Sequence, residues 1–259
     1  MYAIYVIMGL YVGFVSGLFG IGGGLIVVPV LAYLFQYLEV PESINYQTAV
    51  GTSLTAMIFT SLSSAVSHYF QNGINFKVIG ILLPGLILGI VSGAFIANYI
   101  PGHILKWFFA SFVFILGLKF IFQPHVDWHT KLPLWVLAPI SYVIGLISTI
   151  LGIGGGLMTV PVLTTFRLHM SEAVSTSAIT GFIIATFGTL SFFLIGSHYE
   201  DSSDLVGYIY MPAALSIGLT AGLMAPFGAM LAYKLHVNDL KKYFGLQLLF
   251  VAFLILLKT

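Results

Sequence analysis

The chain of 259 residues contains no cysteine and only 17 charged side chains, 9 Lys/Arg and 8 Asp/Glu. The missing cysteine excludes a disulfide framework, a thiolate metal site and a cysteine nucleophile. The shortage of charge excludes more. Charged residues make up 7% of the chain, against about 25% in an ordinary soluble domain. A soluble protein of this size could not cover its surface with so few. It would expose apolar patches well beyond the few hundred Å2 that monomers tolerate. A net charge of +1 is too small to capture a polyanion, so nucleic acid is not an expected partner. With 59% hydrophobic residues and a mean hydropathy of +1.06, the chain reads as an all-α integral membrane protein whose solvent is the lipid bilayer.

What is present is long apolar runs. Six blocks, 46–70, 78–100, 103–122, 173–197, 205–233 and 238–257, each match one spanning helix of about 20 residues. They are too long and too continuously apolar for barrel strands, which alternate over about ten residues. Two further runs, Met1–Leu38 and Leu132–Phe166, carry no charge at all. As single helices each would exceed about 50 Å, at about 1.5 Å per residue. Both are interrupted by Gly-Ile-Gly-Gly-Gly, at Gly20–Gly24 and Gly152–Gly156, and both then carry a proline, Pro29 or Pro161. Each glycine costs a helix about 1 kcal/mol relative to alanine. Each run is therefore expected to be two shorter helices around a non-helical break, as a re-entrant hairpin or as two short spans. The first run has no basic n-region and outlasts a signal peptide, so it reads as mature structure.

The breaks belong to a duplication. Gly20-Ile-Gly-Gly-Gly-Leu-x-x-Val-Pro-Val-Leu31 recurs as Gly152-Ile-Gly-Gly-Gly-Leu-x-x-Val-Pro-Val-Leu163, and Ala49-Val-x-Thr-Ser53 as Ala173-Val-x-Thr-Ser177. Gly85, Gly89 and Gly93 match Ala214, Gly218 and Gly222, and Lys106-Trp-Phe resembles Lys242-Tyr-Phe. The chain divides into a first membrane repeat, 1–122, a linker, 123–131, and a second repeat, 132–259. If each Gly-broken block enters and returns to one side, seven basic residues fall on one side of the membrane and two on the other. If each block crosses once, the split is four to five. The positive-inside rule favours the first geometry. It leaves three ordinary spans per half, makes the halves inverted and puts both termini outside the cytoplasmic membrane. Inverted halves are common in secondary transporters.

A glycine-rich turn that starts a helix aims backbone N–H groups and a positive dipole end outward, and can hold a small oxyanion. Gly20, Gly22, Gly23 and Gly24, with Gly152, Gly154, Gly155 and Gly156, are therefore candidate substrate-binding residues. The competing reading is that they only permit tight turns and close packing. The hydroxyls of Thr52, Ser53, Thr176 and Ser177 recur in both halves and could complete the anion's shell. They could equally be interhelical glue worth about 0.6–2 kcal/mol per bond. The spaced triples Gly9/Gly13/Gly17 and Gly85/Gly89/Gly93 favour close helix packing, within the chain or in a homodimer.

Ionisable candidates inside the membrane are few. His68 and Glu172 read as helix-end residues and Arg167 as a positive-inside anchor. His125-x-Asp127-x-His129 has ligand spacing but follows a proline and offers only three donors, so no metal or other cofactor is expected. No His-Glu-x-x-His, Gly-x-Ser-x-Gly or phosphate-loop sequence occurs, which argues against an enzyme or an ATP-driven pump.

The paired glycine-proline motifs and the Ala-Val-x-Thr-Ser segments resemble the TauE/SafE family of sulfite and sulfonate exporters, along essentially the whole chain. The resemblance implies a permease that moves sulfite, sulfoacetate or a related sulfonate across the cytoplasmic membrane. The expectation is a secondary transporter that works by alternating access and holds a small anion at the breaks. The alternatives are a passive anion channel and, with less support, a membrane-embedded enzyme or scaffold.

Overall fold

The computed structural model describes all residues except 20–21, 39, 70–73, 123–132, 167, 198–203, 233–244, 254 and 256–259. The described chain is almost wholly helical. The elements are α1 (Tyr2–Phe19), α2 (Gly24–Leu34), α3 (Asn45–Tyr69), α4 (Phe76–Tyr99), α5 (Gly102–Phe122), α6 (Leu137–Leu151), α7 (Gly156–Thr165), α8 (Met170–Gly196) and α9 (Met211–Ala232). A further helical stretch covers 245–253. Among the described residues six helices are long and apolar enough to cross a membrane: α3, α4, α5, α8, α9 and α6 extended back to Leu134. The protein is a multi-pass, all-α membrane protein.

Both long uncharged runs break at their glycines. The first gives α1 of 18 residues and α2 of 11. The second gives α6 of 15 and α7 of 10. Pro29 and Pro161 lie inside α2 and α7, as membrane helices tolerate where neighbours satisfy the freed carbonyl. The block read as 205–233 starts its helix only at Met211. Its first six residues form a tight reversal bridged between Leu205 and Tyr210. Gly207, at φ +61°, lies so close to α8 that a Cβ would stand 2.5 Å from the Phe193 carbonyl oxygen.

Helices α3 and α8 form the central pair and run antiparallel. Gly51 lies against Phe192, Leu54 against Gly188 and Ser61 against Gly181. Around this pair the halves interleave. The α1 face Gly9/Gly13/Gly17 packs on Ile217, Ala221 and Ala225 of α9, and the α4 face Gly85/Gly89/Gly93 packs on Ser141, Tyr142 and Leu146 of α6. The small-residue triples are thus used within the chain. A Cβ at Gly13 would overlap Ala221 and one at Gly89 would overlap the Tyr142 carbonyl, so dispersion contacts between backbones hold these crossings.

The two ends of the bundle are tied separately. At one end Gln47 Nε2 donates to the carbonyls of Ala97 (3.3 Å) and Ile100 (3.0 Å), and Tyr208 Oη donates to Asn98 Oδ1 at 2.7 Å. Tyr5, near the start of α1, and Phe35, just after α2, both stack edge-on against Tyr210 at this end, with ring centroids 6.4 and 5.4 Å away. The first block therefore enters and returns to one end. At the opposite end of α4, Asn75 Nδ2 donates to Glu172 Oε1 while Asn75 Oδ1 caps Val78 N–H at 3.1 Å.

Candidate functional site

The two glycine breaks meet between α3 and α8. Gly22 (φ +75°) and Gly23 (φ +78°) turn the chain into α2, with Gly23 as its N-cap and Gly24 as its first residue. Gly152 (φ +65°) caps α6, Gly155 caps α7 and Gly156 begins it. Positive φ is cheap only for glycine, which explains part of the motif. Contact explains the rest. A Cβ on Gly22 would stand 3.2 Å from the Gly154 Cα, and one on Gly24 would overlap the Gly152 carbonyl oxygen. Gly22 and Gly154 are matched positions of the two motifs, so the duplicated segments touch at a point each contributes equally. Gly20 lies outside the described residues.

The four predicted hydroxyl residues are buried. Ser53 Oγ donates to the Gly152 carbonyl at 3.1 Å and so binds α3 to the second break. Ser177 Oγ donates to Val174 O at 2.8 Å within α8. Thr52 Oγ1 donates to Thr48 O at 2.6 Å and accepts from the Tyr210 N–H at 2.9 Å. Thr176 Oγ1 accepts from the Asn75 N–H at 3.2 Å. In this state, Thr52 and Thr176 therefore serve the residues just before α9 and α4. Burial, and then the Asp204 carboxylate, raise the Tyr210 phenol above its ordinary pKa, so this anchor stays neutral.

Met57, Thr159, Asn75 and Tyr210, beside the breaks and helix starts, were not singled out from sequence. Met57 of α3, 1% exposed, lies against the first break, its Cε 3.0 Å from a Cβ placed on Gly22. Thr159 and Thr180 flank the second break, their Oγ1 atoms 3.3 and 3.2 Å from a Cβ on Gly155. Asn75 and Tyr210 complete the helix-start contacts. The unlike residues at matched positions, Val27 against Thr159 and Met57 against Gly181, were the available signal, because attention to the repeat favours what is shared.

Among the described residues no buried side chain is charged and no three His, Asp or Glu side chains group as metal ligands. Arg167 and the His125–His129 segment lie outside the described residues, as does the His68 side chain. A cleft of about 510 Å3 flanks α7, lined by Leu116 and Lys119 of α5, Pro139 and Ile140 of α6, and Met158 and Pro161 of α7. Its lining is apolar apart from Lys119.

Six apolar spans around a centre rich in buried hydroxyls have the make-up of a membrane permeation protein. The family described as "Sulfite exporter TauE/SafE" matches residues 5–255, and the chain belongs to that family. It is 36% identical to a "Probable membrane transporter protein" of Haemophilus influenzae over 97% of each chain. It is 29% identical to a "Probable membrane transporter protein MJ0441" of Methanocaldococcus jannaschii, over 91% of this chain and 88% of that one. It is 26% identical to YunE of Bacillus subtilis, also called a probable membrane transporter protein, over 75% and 79%. No solved structure matches the chain. The protein is a membrane transporter of the TauE/SafE family.

Proposed function

We propose that the protein is a secondary transporter that exports sulfite, sulfoacetate or a related sulfonate across the cytoplasmic membrane by alternating access. The observation that carries this is the meeting of Gly22 with Gly154 between two antiparallel central helices. Two sequence-matched breaks, the first of them at the tip of a block that returns to the end it came from, suit a site at the bilayer midplane shared by two inverted halves. Backbone N–H groups and hydroxyls are the donors there, and they can hold an oxyanion without a buried cation. In this reading both termini lie outside. Opposed motion of the halves parts the breaks, admits the anion and exposes it to either side in turn.

The test is flux into proteoliposomes with labelled sulfite, sulfoacetate, thiosulfate and sulfate. Saturable uptake accelerated by the same anion on the opposite side is expected for at least one sulfur oxyanion. No saturable flux of any would sink the substrate assignment. Conductance without such counterflow would make the protein a passive channel.

A further inference from the structure

The two breaks are matched in sequence but not in chemistry. The alignment that pairs Ser53 with Ser177 also pairs Met57 with Gly181, Ala56 with Thr180 and Ser61 with Ala185; the motif alignment pairs Val27 with Thr159. The structure puts both Met57 and Gly181 against a break. Met57 fills its place, with Sδ 2.9 Å from a Cβ on Gly24 and Cε 3.0 Å from one on Gly22. Gly181 leaves room in its place for a methyl-sized group without overlap. Though buried, it would meet nothing closer than 3.9 Å with a Cβ added, and the two nearest atoms are the Gly155 backbone nitrogen and Ser61 Cβ.

That space has a polar lining. Thr180 Oγ1 lies 3.4 Å from Thr159 Oγ1, and Ser61 approaches from α3. Thr180, Thr159 and Ser61 are 0%, 1% and 6% exposed. Ser148, 1% exposed in the last turn of α6, has a buried Oγ with no hydrogen-bond partner. Its backbone carbonyl accepts from the Ile153 N–H at 2.9 Å, which ties it to the start of the second break. Ser61 and Thr180 now donate to Met57 O (2.6 Å) and Ser177 O (2.9 Å). A χ1 rotation turns such back-bonded hydroxyls outward without breaking the helix.

We propose that the oxyanion head of the substrate is held at the second break alone, by Ser61, Thr159, Thr180 and the backbone of Gly155 beside the side-chain-free face of Gly181, while Met57 plugs the equivalent place at the first break. This rests on the transporter reading above and narrows it. The first break becomes a moving, apolar surface and the second the binding surface, so the transport cycle is asymmetric in chemistry although its scaffold is duplicated.

The chain's lack of cysteine allows a direct test. Gly181→Cys adds its Cβ without overlap, and Met57→Cys replaces a larger side chain. Each is labelled with an anionic methanethiosulfonate in proteoliposomes, with and without sulfoacetate, methanesulfonate or thiosulfate. At least one of these anions should slow labelling at position 181 fivefold or more and leave position 57 unchanged. Shielding of both positions alike, of 57 alone or of neither overturns the proposal. In parallel, Gly181→Met should lower flux at least tenfold, and by more than Met57→Ala lowers it. Equal losses in Gly181→Met and Met57→Ala, with all variants monodisperse, also overturn it. Absence of flux in the original chain would defeat the exporter reading, and the shielding data would still decide the site.

Discussion

Thr52 Oγ1 accepts a hydrogen bond from the Tyr210 backbone N–H at 2.9 Å, so a hydroxyl on α3 holds the residue that precedes α9. Thr176, its counterpart on α8, does the same for Asn75 before α4. Because α3 and α8 are antiparallel, the two links sit toward opposite ends of the pair, one for each end of the bundle.

Removing the Thr52 hydroxyl should therefore destabilise the fold. Thr52→Val leaves a partly buried N–H unpaired at a cost of about 1–3 kcal/mol, whereas Thr52→Ser keeps the acceptor. Thermal unfolding in detergent should show a clearly lower midpoint for the valine variant and a near-native one for serine.

The Asn75–Glu172 contact lends itself to a designed pH response. Asn75→Asp retains an N-cap for α4 but sets a second carboxyl beside Glu172. Two carboxylates this close repel each other, and the repulsion is strongest where both are ionised. The variant's melting temperature should fall from acid to neutral pH relative to the original chain. A constant offset between the two would refute this coupling.

Glycine substitutions should separate packing from helix propensity. A Cβ at Gly13 would overlap Ala221, whereas one at Gly80 meets nothing within 4 Å. Gly13→Ala should reduce the folded, monodisperse yield. Gly80→Ala should be neutral or stabilising, by up to about 1 kcal/mol. Size-exclusion profiles and melting curves of the two variants provide the comparison.

Orientation follows from the charge bias. Glu42 and Lys77 are both exposed, just before α3 and at the start of α4. An impermeant maleimide should label Glu42→Cys in intact cells and Lys77→Cys only after permeabilisation. The reverse pattern would turn the protein over in the membrane.

The architecture was legible because its signals are collective. Twenty apolar residues between charges specify a spanning helix whatever their order, and two Gly-Ile-Gly-Gly-Gly runs specify breaks whatever surrounds them. The late start of α9 was not legible. Leu205–Tyr210 is as apolar as a helix, and its reversal depends on a contact between Gly207 and the end of α8. The hydroxyls show the same limit. The repeat singled out Thr52 and Thr176 as anion donors or interhelical glue, but their use for Tyr210 and Asn75 depends on which helix starts pack beside them. Gly181 and Met57 carry no signal alone; they acquire meaning only once both are seen against equivalent turns.

Among the described residues every buried polar side chain is neutral, and that bears on selectivity. Stripping water from an ion costs free energy that grows with the square of its charge, and hydroxyl and amide donors repay only part of it. In the exporter reading, such a site favours low charge before it favours shape. Hydrogensulfite and simple alkanesulfonates, each singly charged, should be carried more readily than doubly charged anions, sulfate and sulfoacetate alike, when compared at equal concentration in the flux assay.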